Sequence, residues 1–404
     1  VRSRTVRNQE RGCIVEPLEG RVLYHAGHEG LHIVGTLVPW THAPIAPIVI
    51  VPPALPSLPP PVSPPAAPPV GSPAVPPPIA PNQPVPQEPG PTEPPGAAQP
   101  QFSTIQWADL RPSATPLAES LRGIYGNRLY LFGGFSGSAG PVVNAQYFDA
   151  ASGAWTNIRS LPERITHAGV AQTGSDVYFV GGYVGNGPGY QQAFGSSHVW
   201  KYNFESDNYD RLTDLPRKYA GGGAEIIDGK LHYFGGYTQQ RQDTNVHLVL
   251  DLNDPSARWQ EAATMLTARN HMGHVVYGGR IFSIAGQTGT DEGLVTRRDV
   301  EVFDPATNTW SYVSPIPRGV SHISSATFVM GDRIIVAGGE SAHNVQVREV
   351  WAYTPATDRW EALTPLPAPR FSGVAAAFAG KIVFATGGSA TSNWLGTPVL
   401  ATGV

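Results

Sequence analysis

A pair of adjacent glycines ends a short apolar run, and the pair returns along the chain at intervals of 48 to 54 residues. It stands at Gly133-Gly134, Gly181-Gly182, Gly235-Gly236, Gly338-Gly339 and Gly387-Gly388, with a degenerate copy at Gly286 whose second position is Gln287. An aromatic residue follows at Trp155, Tyr209, Trp259, Trp310 and Trp360. Self-similarity at such a period means stacked supersecondary units, none of which can bury its apolar faces alone.

The runs before the glycines, LYLF, VYFV, LHYF, IFSI, IIVA and IVFAT, have strand length and are apolar almost throughout, as in a strand covered on both faces. Glycine at the strand end permits positive φ and close approach of a neighbouring backbone, while the aromatic on the last strand offers a flat surface to the next unit. Between third and fourth strands, FDAASGAW, FDPATNTW and YTPATDRW predict tight hairpins, with Pro305 and Pro355 presetting φ at the first turn position. From each aromatic to the next glycine pair is 26 to 28 residues, and Trp107 stands 26 residues before Gly133. Trp107 is thus in register as the outermost strand of a unit whose other strands lie at the far end of the chain. After Gly387-Gly388 there is room for one more strand, near Trp394 to Leu400. The expected architecture is all-β: a six-bladed β-propeller over residues 103–404, closed by the strand around Trp107 and left without an open edge.

With a double glycine, a Tyr such as Tyr353 and then a Trp at this spacing, residues 103–404 resemble the kelch-repeat family of β-propellers. The resemblance implies a ligand that is protein or carbohydrate, in a family used for many unrelated binding tasks and a few enzymes.

Ahead of this region the composition changes. From Pro52 to Pro100, 22 of 49 residues are proline without a triplet period, so residues 39–102 are expected to be a disordered, proline-rich tether rather than collagen. Residues 1–38 carry Arg2, Arg4, Arg7 and Arg11, but no apolar stretch of the length a usual secretory signal needs follows them. Leu18, Glu19, Arg21, Val22 and Leu23 instead resemble the Leu-Glu-Pro-Arg-x-Leu-Leu motif on exported surface proteins of planctomycete-type bacteria, with Gly20 in place of the proline and Tyr24 of the second leucine. An extracellular or cell-surface location is expected from that likeness. The run from Ile33 to Val51 is broken by Pro39, Pro44 and Pro47, so no transmembrane segment is expected. A single cysteine, Cys13, excludes an internal disulfide framework. A formal charge of −4 gives no case for nucleic acid, and a monomer is expected.

The residues that open each first strand lie beside the glycine pair and the polar loop after it. Arg164, Arg217, Arg269, Arg318 and Arg370 stand 17 to 20 residues before the glycines, with Pro116 at that place in the first unit. Five arginines there would make an electropositive mouth for an anionic ligand, unless acids such as Asp243, Asp291, Glu292 or Glu340 pair with them locally. His167, His271, His274 and His322 lie nearby at unequal distances from the glycines, so no histidine ring, metal centre or cofactor is expected. His25, His28 and His32 are spaced for one helix face, but Gly27 and Gly30 argue against that helix.

Two function classes follow. The first is a tethered binding or adhesion module rather than an enzyme. The second, implied by the family resemblance, is a sugar-active enzyme like the six-bladed sialic acid mutarotases, in which Glu340 or Glu349 would act beside Arg318 or Arg348. A copper radical oxidase fits poorly, because its Tyr-Cys crosslink needs a propeller cysteine and Cys13 lies outside.

Overall fold

A computed structural model describes residues 102–136, 140–185, 192–388 and 390–400. The expectations placed on residues 1–101, including Cys13, His25, His28 and His32, lie outside the described residues. None of the described helices is long and apolar enough to cross a membrane.

Six four-stranded antiparallel sheets form the blades, and their innermost strands follow one another around one axis. The first blade comprises Leu121–Tyr125, Arg128–Phe132, Ala145–Asp149 and Ala154–Asn157. The sixth is composite. Val374–Phe378, Lys381–Ala385 and Asn393–Val399 from the end of the chain are completed by Thr104–Leu110, with Trp107 opposite Gly396. The order of the propeller is therefore closed by a ladder between its two ends. Phe102, expected in the tether, is 6% exposed and packs beneath the Arg333 guanidinium at 4.2 Å, so the folded unit reaches back at least that far.

Two repeated seams join each blade to the next. At the inner seam, the N–H of a strand-end glycine donates to a carbonyl of the following blade: Gly134 to Ile165, Gly182 to Tyr219, Gly236 to Arg269, Gly286 to Val320, Gly339 to Arg370 and Gly387 to Leu117, at 2.6 to 2.9 Å. In four of the six blades the preceding residue is a glycine, packed closely against the following blade. At Gly133 a Cβ would stand 2.2 Å from the Ile165 oxygen. The same geometry corrects the expected register in two blades. Gly286 and Gly387 are the second members of their pairs, and Ala285 and Thr386 occupy the first place with φ 53° and 59°. Gly388 lies one residue beyond the pair.

At the outer seam the aromatic that recurs in each repeat donates to the blade before it. Trp155 reaches the Arg111 carbonyl at 3.1 Å, Tyr209 that of Arg159 at 3.0 Å and Trp259 that of Thr213 at 3.0 Å. Trp310 reaches Ala263 at 2.8 Å, Trp360 reaches Ser314 at 2.9 Å and Trp107 reaches Thr364 at 3.4 Å. The aromatics thus act as donors as well as packing surfaces. Between blades the core is continuous: Phe132 lies fully buried between Phe179 and Tyr202, with ring centroids 5.0 and 4.9 Å away. Removing such a ring would cost about 3–5 kcal/mol.

Candidate functional site

The five arginines do not form one ring. Arg269 is fully buried, 3.0 Å from Asp299 and 2.7 Å from the buried Glu301, and it also donates to the Ala285 and Asp299 carbonyls. Arg318 pairs with Glu349 and donates to Ser341. Arg370 lies over the Trp394 ring at 4.6 Å and donates to Ser392. Arg164 and Arg217 are the exposed members of the set that no described acid holds; Arg164 donates to the Pro141 carbonyl at 3.4 Å. Arg164 is opposite Gly185 and Tyr219 bridges to Ser196; the half-buried Phe194 lies under the Arg241 guanidinium at 4.9 Å. Lys218 is exposed next to Arg217. Glu340 is buried, and Glu349 is bound to Arg318.

On the axis the arrangement differs from the sequence expectation. Glu119, His167, Gly221, His271 and Ser372 each stand fifteen residues before the second glycine of their blade, and His322 stands seventeen before Gly339 because the turn Ser324–Ala326 adds length. All six have positive φ, between 50° and 65°. Their backbones link blade to blade. Glu119 N–H donates to Ser372, Ser372 to His322, His322 to His271, His271 to Gly221 and Gly221 to His167, at 2.8 to 3.1 Å, while Thr166 Oγ1 spans the remaining junction to Glu119. The three histidines therefore do belong to one ring. Only His274, two residues along its strand from the junction at Met272, falls outside it; its Nδ1 lies 2.8 Å from Glu225. The regular spacing was hidden because Gly286 and Gly387 had to be read as second members of their pairs.

Each ring histidine follows a polar residue that holds its Nδ1: Thr166 at 3.0 Å from His167, Asn270 against His271 and Ser321 at 3.0 Å from His322. Above the ring, the residues after the second glycines form a further layer, with Phe135, Tyr183, Tyr237, Gln287 and Glu340 each paired to the residue preceding a ring member. His167 stacks on Tyr183 at 4.3 Å, and the His271 and His322 rings lie 4.3 Å apart at a tilt of 33°. Below, Arg122 donates to the Thr327 and Ala375 carbonyls at 2.8 and 2.7 Å, and Ser325 donates to Ser120, so the first, fifth and sixth blades are tied together there. A small cavity on the axis is lined by Glu119, His167, Gly221, His271 and Ser325.

Burial governs the charges of this cluster. Desolvation pushes the Glu119 carboxyl up to about 7, with the Ser372 hydroxyl opposing and Glu340 adding to the rise. It carries His322 down to about 3 and holds His167 and His271 well below the ordinary imidazole range, the neighbouring histidines contributing to the latter two. At neutral pH the imidazoles are uncharged, with lone pairs available, and the carboxyl beside them holds its proton more tightly than an ordinary carboxylate. Such a set can hold a cation, or give and take a proton.

Comparison with known proteins agrees with the architecture. The family model described as the KLHDC2/KLHL20/DRC7 Kelch-repeats domain matches residues 166–388. Kelch-like protein terF of Aspergillus terreus is 26% identical over 243 residues, covering 58% of this chain and 52% of that protein. Human Kelch-like protein 23 is 24% identical over 193 residues, covering 48% of this chain and 32% of its own length. The chain thus spans about half or less of these curated relatives. The solved structure of YjhT superimposes with a TM-score of 0.56 at 19% identity, covering 72% of this chain and 96% of that one, a likeness of fold. With the match running from the opening of the second blade to the strand-end glycines of the sixth, the chain belongs to the kelch-repeat family.

Proposed function

We propose that the propeller is a binding module that takes a protein or carbohydrate ligand by an anionic group at its loop-bearing mouth. The observation that carries this reading is that Arg164, paired with Gly185, and Arg217, two residues before the Tyr219 bridge to Ser196, are both exposed and neither is held by a described acid. Exposed guanidinium groups with free donors suit a carboxylate attached to a sugar or peptide. The other three arginines of the original set belong to the scaffold or the rim. On the same reading, the sequences of residues 39–102 and 1–38 act as tether and surface-sorting segment of an extracellular or cell-surface adhesin. Glycan and peptide arrays probed with the full chain should return acidic ligands. Replacing Arg164 and Arg217 by Ala should weaken their binding by ~1.5–3 kcal/mol per lost charge-assisted hydrogen bond, with unchanged melting and a wild-type affinity that falls with salt. Undiminished binding by the double variant would remove this site from consideration.

A second reading, a sugar-active enzyme in the manner of the sialic acid mutarotases, is favoured by one observation. Glu119, rather than the Glu340 or Glu349 first considered, is the carboxyl whose proton affinity is lifted to about 7 beside the axial cavity. Exchange spectroscopy on sugar anomers, with wild type against Glu119→Gln, tests it. Equal exchange rates in the two proteins would exclude Glu119 from that role.

A further inference from the structure

Two of the ring histidines and the ring carboxyl form a donor set of their own. The ligand atoms of Glu119, His271 and His322 all lie within 4.8 Å of one another, although the residues come from the first, fourth and fifth blades. His322 Nε2 is 4.0 Å from Glu119 Oε1. The opposite nitrogens are already engaged. His322 Nδ1 lies 3.0 Å from Ser321 Oγ and 3.2 Å from the buried Glu340 carboxylate, and His271 Nδ1 meets Asn270 Oδ1. Asn270 cannot turn round, because its Nδ2 donates to Asp243. Both Nδ1 atoms therefore face acceptors and carry the proton, which leaves both Nε2 atoms as lone pairs. A carboxylate or amide oxygen behind the far nitrogen of an imidazole is the arrangement that orients histidine on a metal and raises its basicity. Here it is built twice, once directly and once through Asn270 and Asp243. Glu119 completes the set with an oxygen ligand, aligned by the Ser372 hydroxyl.

We infer that Glu119, His271 and His322 bind a divalent transition-metal ion of the zinc type on the propeller axis. Two imidazoles and one carboxylate suit zinc or its neighbours in the first transition row, and they leave a coordination position open. Magnesium and calcium, which take mostly oxygen ligands, are disfavoured by the same set.

Cobalt(II) titrated into the chelator-stripped full chain reports the site through its visible absorption. One equivalent is expected to bind, giving a band that zinc displaces. Asn accepts a left-handed backbone more readily than most residues, so His271→Asn and His322→Asn keep the ring geometry while removing a ligand. Each should abolish the band. Glu119→Gln, which keeps the side-chain shape, should weaken cobalt binding by at least about tenfold, and Ser321→Ala by about 10–100-fold through the neighbouring shell. Zinc should raise the melting temperature of the wild type and not that of the double Asn variant. The inference is overturned if the wild type shows no band, if the band survives in the double Asn variant, or if replacing His25, His28 and His32 by Ala is what removes it.

Discussion

Arg269 and Arg217 occupy nearly the same place in the repeat and do opposite things. Arg269 stands two residues before its ring member and Arg217 four, while Arg164 stands three before and Arg370 two. A shared approximate spacing does not guarantee a shared environment: Arg269 meets Asp299 and Glu301, whereas Arg217 is exposed and meets no described acid. Arg269 is buried beside Glu301, which its truncation would leave buried and uncompensated, while the half-buried Asp299 would keep Arg297 at 2.9 Å. Arg269→Ala is expected to lose ~3–5 kcal/mol in denaturant unfolding, whereas Arg217→Ala should stay within about 0.5 kcal/mol of wild type. Similar losses for both would mean that Arg217 is also a structural pin. The sequence showed that arginine favours the opening of these strands; it did not show which ones point into a blade.

Strand ends illustrate the element scale. Glycine at the first place of the pair answers a backbone that has positive φ and faces a carbonyl of the next blade. Thr386 holds that place at φ 59° with a β-branched side chain, and its buried hydroxyl has no hydrogen-bond partner among the described residues. Thr386→Gly should therefore stabilise the protein by about 1 kcal/mol, the left-handed penalty being partly offset by the greater backbone entropy of glycine. A lower denaturation midpoint for the variant would show instead that packing of the Thr386 methyl group dominates. At the outer seam, Trp259→Phe keeps the ring and removes the 3.0 Å hydrogen bond to Thr213. A loss of about 1 kcal/mol is expected, measured in the same way. Both seams had a sequence signal, since glycine and tryptophan recur at fixed distances. The donor role of the indole nitrogens had none, because acceptor carbonyls exist at every residue.

At the scale of the molecule, ring closure and buried imidazoles set the stability. Deleting residues 103–112 removes the outer strand of the sixth blade, the Trp107 bond to Thr364 and the Arg111 carbonyl that receives Trp155. The melting temperature should fall by ~2–4 °C for each kcal/mol lost. An unchanged melting curve would be incompatible with closure through this strand. The pH dependence follows from His232 and His247, whose ring nitrogens are 2.9 Å apart, together with the three ring histidines. Burial carries His232 and His322 down to about 3 and His247 to about 4, from 6.5 in the unfolded chain. The unfolded chain thus binds more protons below 6.5, so the stability these groups confer is complete above that pH and declines as pH falls towards 3. Glu119, raised to about 7, and Glu301 and Glu340, which burial also raises, work in the opposite direction, but they are three groups against five. Calorimetry from pH 8 to 4 should show a falling melting temperature, and a flat or rising profile would contradict the burial of these imidazoles.

What the sequence determined by itself was whatever repeats locally: strand length, the glycine pairs, the hairpin turns, the period, and the phase of Trp107 against a far-off glycine. Each of these is a short-range preference copied six times, so its register survives in one dimension. Only the tertiary structure decided which side chains meet on the axis. Glu119, His271 and His322 come from three blades, and none of them carries a local mark of that meeting. Their convergence rests on a left-handed residue at each blade junction and on a phase that two degenerate copies shift by one residue, at Ala285 and Thr386. A shift of that size changes nothing in composition or hydrophobic pattern. In a closed ring it is what aligns or misaligns every inward-facing group.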